Sequence, residues 1–144
     1  TAIIGVMTRF PRNAALQQWA ATAVWAIVKD NSRGKTAFMK ATTTDEVAGT
    51  VTSMRVLKNV LTQFGSESEA TAQAVIGCVL SLAINSVSSQ KIIADMAFPN
   101  LIMSVLGKHP TISFRGEFDN LREWLRDNSA HTEELHMRTH SHAD

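Results

Sequence analysis

Few residues of this 144-residue chain have the types and spacing that chemistry would need. Gly34-Lys35-Thr36 matches the last three letters of a phosphate-binding loop. That loop also needs a glycine five places earlier and a preceding strand, whereas position 29 is Lys and the flanking pattern is helical, so no nucleotide site is expected. His131, His136, His140 and His142 cluster near the C-terminus, and His136 with His140 has the i, i+4 spacing that can share a zinc ion on a helix. No cysteine and no His-Glu-x-x-His accompanies them. They read as a solvated tail that gains charge on mild acidification, and no metal or other cofactor is expected. Cys78 lies within the apolar run Ala74 to Ile84 and is expected to be an inert core thiol. His109 falls at the end of an apolar segment, where its ring is expected to pack edge-on. None of these groups makes a nucleophile–base pair, and the chain reads as a non-enzyme.

Composition narrows the partners. The net charge is +1, with 19% charged and 44% apolar residues, so the concentrated basic surface that nucleic acid needs is missing. Residues 1–110 carry ten Lys and Arg against six Asp and Glu, and residues 111–144 carry four against seven. The longest apolar run contains Gly77 and Ser81 and is about half the length of a membrane span. A single cysteine and no Asn-x-Ser/Thr site suit a reducing compartment, cytoplasmic or nuclear. The chain begins mid-pattern at Thr1, as expected of a fragment of a longer chain or a processed product.

Helices must position whatever the chain does, because helical spacing recurs throughout, while tyrosine and clean alternation are absent. Ile3, Ile4, Met7 and Phe10 form one stripe, stopped by Pro11, and its edge is a candidate surface for self-association. Asn13 caps a helix whose buried face is expected to hold Leu16, Trp19, Ala20, Ala23, Val24, Ile27 and Val28. A short helix over 35–41 follows. Thr43-Thr44-Asp45-Glu46 fits a capping box and predicts a long helix with Val47, Val51, Met54, Leu57, Val60, Leu61 and Phe64 inward, closed by Gly65. Ser66 with Glu69 predicts another capping box and a helix over 70–85. Helices over 90–96 and from Pro99 to Gly107 come next. A last one over 117–127 has Phe118, Leu121, Trp124 and Leu125 on one face and Arg115, Arg122, Glu123 and Arg126 on the other. Residues 128–144 read as a polar tail.

The order long helix, short helix, helix occurs twice. Residues 21–41 fall on 76–96 under a shift of 55 positions without a gap, apolar on apolar: Ala23 on Cys78, Val24 on Val79, Trp25 on Leu80 and Phe38 on Ile93. Three similar words, VMTRFP (6–11), VLTQFG (60–65) and VLGKHP (105–110), close a helix each time. An internal period of this size points to an α-solenoid.

The stretch CVLSLAINSVSSQKIIADMAFPNLIMSVL (78–106) resembles the armadillo repeat, and QWAATAVWAIVKDNSRGKTAFM (18–39) resembles its long-helix half. The two-helix HEAT repeat is a related alternative. The glycine usual between the two shorter helices is absent; Met96-Ala97 and Thr42-Thr43-Thr44 stand there. The resemblance implies an all-α chain wound as a right-handed superhelix over 1–127, with about two full repeats and partial terminal units. It implies a concave groove that binds a peptide or protein, lined in the first repeat by Gln18, Thr22, Ala26 and Lys29 and in the second by Gln73, Gly77, Ser81 and Ile84. Gln18 and Gln73 would form a rung of amides able to bind a peptide backbone. The Trp and Asn typical of the nuclear-import adaptors are replaced by Thr22 and Ala26, and by Gly77 and Ser81, which argues against recognition of a basic import signal. Two alternatives are a scaffold segment that assembles with itself and an all-α metal-binding or enzymatic domain.

Overall fold

In the computed structural model, residues 2–45, 47, 49–114, 116, 118–119 and 121–129 are described. Helices α1 (Ala2–Arg9), α2 (Ala14–Val28) and α3 (Ser32–Lys40) lead into strands β1 (Thr42–Asp45) and β2 (Gly49–Thr52). Helices α4 (Ser53–Phe64), α5 (Glu69–Ala83), α6 (Val87–Asp95) and α7 (Phe98–Lys108) follow, and residues 121–129 are helical again. The chain is therefore mostly helical but not all-α.

Local chemistry fixes the helix starts. The side chains of Asn13, Asn31, Thr52, Ser68 and Ser86 each accept the backbone N–H three residues on, satisfying amides that an α-helix leaves unpaired. Ser68, not Ser66, caps α5, and Thr71 stands three residues on, so the expected Ser66–Glu69 capping box does not form.

The larger correction concerns 42–52. The Thr43–Glu46 box opens no helix. Thr43 pairs with Val51 and Thr44 with Thr50 in a two-stranded antiparallel hairpin, and Val47, expected inward, is 97% exposed at its tip. Six of the eight strand residues are Thr or Val, whose branched Cβ favours extended backbone. Gly49 turns the chain at φ 78°, and the Asp45 carboxylate accepts the Val47 N–H at 2.7 Å. The two ends of the hairpin meet where Ser53 N donates to Ala41 O at 3.0 Å and the Ser53 hydroxyl donates to Phe38 O.

The 55-residue period survives in three dimensions. Helix α2 maps onto α5 and α3 onto α6 with no end displaced. The caps Asn13 and Asn31 map onto Ser68 and Ser86. Asp30 (φ 60°) maps onto Asn85 (φ 59°), both left-handed residues at the same bend. The correspondence breaks after Ala41 and Met96. There the first pass inserts residues 42–52, while the second has Ala97 alone; those ten extra residues lower the shift from 55 to 45 for α4 and α7.

Helix α5 is the centre. All its residues except Glu69, Ala70 and Gln73 are buried, as befits a helix apolar on every side. The long run read from the sequence is thus a core helix, and no helix among the described residues is long and apolar enough to cross a membrane. Helix α2 makes the most extensive helix pairing with α5, α4 and α6 flank it, and Phe118, Leu121 and Leu125 add to the same core. Ile4 and Met7 of α1 are buried in that core too. Of the stripe expected as a self-association edge, Ile4 and Met7 are therefore covered and Ile3 is half-buried, while Phe10, with Val6 beside the stripe, stays exposed.

The three closing words are tied down by side chains. The Gln17 amide donates to Met7 O at 3.0 Å and Phe10 O at 2.8 Å, ending α1. His109 Nε2 lies 2.7 Å from Gly65 O, so that nitrogen carries the proton and the third closure is pinned to the second. Lys58 Nζ donates to Met96 O at 2.6 Å at the end of α6.

Ala97 adopts φ 61° between α6 and α7 with no side-chain cap. Left-handed backbone costs a residue with a Cβ and costs glycine nothing. Ala97→Gly should raise stability by about 1 kcal/mol, read as a higher urea midpoint at unchanged m-value; a lower midpoint would contradict the geometry.

Candidate interaction face

On α2, Gln18, Thr22, Ala26 and Lys29 recur at helical spacing, and all four are exposed along one face. The Thr22 hydroxyl donates back to Gln18 O at 2.8 Å, so its hydrogen is taken within the helix. Trp19 (65% exposed) and Ile27 (50%) border the strip. Both were expected on the buried stripe. The buried residues of α2 are instead Gln17, Ala20, Ala21, Val24 and Val28. The helix is apolar nearly all round, so spacing alone defined no unique inner face.

The second set fares differently. Gln73 is half-buried, while Gly77 and Ser81 are buried in the interface with α2. The Trp25 indole lies on Gly77 so closely that a Cβ there would stand 2.5 Å from Cε2 and 2.6 Å from Cζ2. Trp25 Nε1 donates to Ser81 Oγ at 3.2 Å. Phe114 meets the indole edge-on at 6.1 Å, Phe118 meets Phe114 at 5.2 Å, and Lys29 Nζ sits 5.8 Å from the indole centroid. The structure thus brings Gly77 and Ser81 together with Trp25 and not with a free groove, and the eight residues form no continuous open surface, Ile84 being half-buried like Gln73. Trp25, which falls on Leu80 under the 55-residue shift, packs between α2 and α5. Its hydrogen bond to Ser81 was not legible.

The other sequence candidates find their places. Gly34, Lys35 and Thr36 lie within α3; the Gly34 amide is taken by Asn31 Oδ1 at 2.9 Å and the Thr36 hydroxyl by Ser32 O at 3.1 Å. Cys78 is fully buried, and desolvation pushes its thiol far above the usual range. A thiol reagent at pH 8 should therefore label the folded chain far more slowly than the urea-unfolded one. Equal rates would show that α5 is not the core. His131, His136, His140 and His142 lie outside the described residues. Among the described residues, no group of three His, Cys, Asp or Glu could hold a metal ion.

Compared with protein-family models, with curated proteins and with solved structures, the chain has no match.

Proposed function

We propose that this chain is a non-catalytic helical-repeat module of the armadillo type that binds a protein partner on the outer face of α2. The observation that carries this reading is the exposed strip Gln18, Thr22 and Ala26 bordered by Trp19 and Ile27, on a helix whose 55-residue equivalent is central and covered. Exposed tryptophan beside small residues is the composition of a binding hot spot: a large rigid ring with room next to it. The repeat assignment is supported by the duplicated helix pair with its duplicated caps. It is supported further by Ala97, which takes left-handed backbone at the joint where the resemblance expects glycine. The groove expected along both repeats narrows to the first, because Trp25 occupies Gly77 and Ser81.

Selection from a displayed peptide library tests the site. Binders of the wild-type chain should lose at least about tenfold in affinity, near 1.4 kcal/mol, against the Thr22→Arg/Ala26→Arg variant. Both positions are exposed, so the fold should tolerate the change. Binders indifferent to the pair would move the site off α2.

A further inference from the structure

We infer that the outer face of α2 receives its partner as an α-helix running alongside it, with a leucine-sized side chain seated over Thr22 and Ala26. This rests on the reading of that face as the binding site and specifies what fits it.

The internal repeat supplies the template. Under the 55-residue equivalence, Thr22 corresponds to Gly77 and Ala26 to Ser81. On α5 those two places are filled by a neighbouring helix: α2 lays Trp25 on Gly77 and hydrogen-bonds Ser81. One turn later Lys29 shares a surface cleft with Ser81 and Ile84, so α2 and α5 run in the same sense. The flanking positions agree. Trp19 and Ile27, exposed on α2, correspond to Ala74 and Leu82, both buried on α5. The face that α2 leaves open is thus the one that, in its own duplicate, accepts a helix. An extended strand has no counterpart there.

Two substitutions then define the side chain. Gly77 admits the indole only because it lacks a Cβ, and Thr22 has one, so an aromatic ring cannot lie at the same depth on α2. Ser81 accepts the indole N–H, and Ala26 has no acceptor, so a buried Trp would keep an unsatisfied donor. A shorter side chain without polar atoms meets neither obstacle. The chain shows one at the corresponding place, since Leu80 of α5 aligns with Trp25 of α2. The occupant is therefore a helix with an α5-type Leu, not an α2-type Trp.

The test titrates acetylated peptides of residues 14–29 into the ¹⁵N-labelled full chain, with Trp19→Lys in every peptide for solubility. One peptide keeps Trp25, one carries Trp25→Leu, and one carries Trp25→Leu with Ala21→Pro to break the helix. The Leu peptide should shift the amides of Gln18, Thr22 and Ala26, and the Trp peptide should bind about tenfold more weakly. The Pro peptide should not bind. In the Thr22→Gly/Ala26→Ser chain, which restores both features of α5, the Trp peptide should gain and the preference should close or reverse. The wild-type comparison stands whether or not that variant folds. A Trp peptide binding wild type as well as the Leu peptide overturns the inference, as does binding by none. Equal binding of the Pro and Leu peptides at the same amides overturns the helix while leaving the α2 face as a binding site.

Discussion

Gly77→Val should destabilise the chain by about 2–3 kcal/mol, as overpacking a core contact does. A valine Cβ would enter the Trp25 ring, 2.5 Å from Cε2, and the ring is held from behind by Phe114 and from the side by its bond to Ser81. No flexible tip can move aside. The second change that identifies the cause is Trp25→Leu, which removes the ring. Alone it should destabilise, since it strands the Ser81 hydroxyl and empties the space beside Phe114. Combined with Gly77→Val, it should be less costly than the two effects added, with a coupling of about 1–2 kcal/mol. Urea unfolding of the four proteins measures this directly. Strict additivity would mean that α2 and α5 do not meet through this pair.

Phe98→Ala should cost about 3–5 kcal/mol, the range for emptying a fully buried aromatic site. Phe98 is completely inaccessible at the start of α7, beside Pro99, which fixes the helix entry and limits collapse into the hole. A domain of this size has about 5–15 kcal/mol to lose, so the variant should unfold at clearly lower temperature and denaturant. Phe98→Leu should lose much less. A loss below about 1 kcal/mol for alanine would place Phe98 at the surface, outside the range for buried aromatics.

The helices were legible because their signals are local. Asn13, Pro11, Gly65 and Pro99 mark ends whatever surrounds them, and the 55-residue repeat follows from letters alone. The hairpin was not legible. Thr43-Thr44-Asp45-Glu46 satisfies a helix-start rule, and only its pairing with Thr50, Val51 and Thr52, several residues on, selects the strand. The candidate face was half legible as a surface. Gln18, Thr22 and Ala26 are exposed, but Gly77 and Ser81 are not, because nothing local says that Trp25 from 52 residues away will cover Gly77. Trp19 was misplaced for the opposite reason: hydrophobicity alone argues for burial, and on a helix apolar all round it cannot say which side faces in.

That exposed Trp19 also bears on how a chain with a duplicated helix pair avoids folding the wrong way round. Helices α2 and α5 have the same length, the same cap positions and the same following bend, so each could bid for the central position, within one molecule or exchanged between two. The central position would put Trp19 where Ala74 is buried and Lys29 where Ile84 packs. Overfilling an alanine site with an indole and drawing an ammonium group toward the core make that arrangement costly, whereas α5 presents neither group there. The two copies are alike in their ends and unlike in their sides. The ends make the helices, and the sides decide which one belongs in the middle.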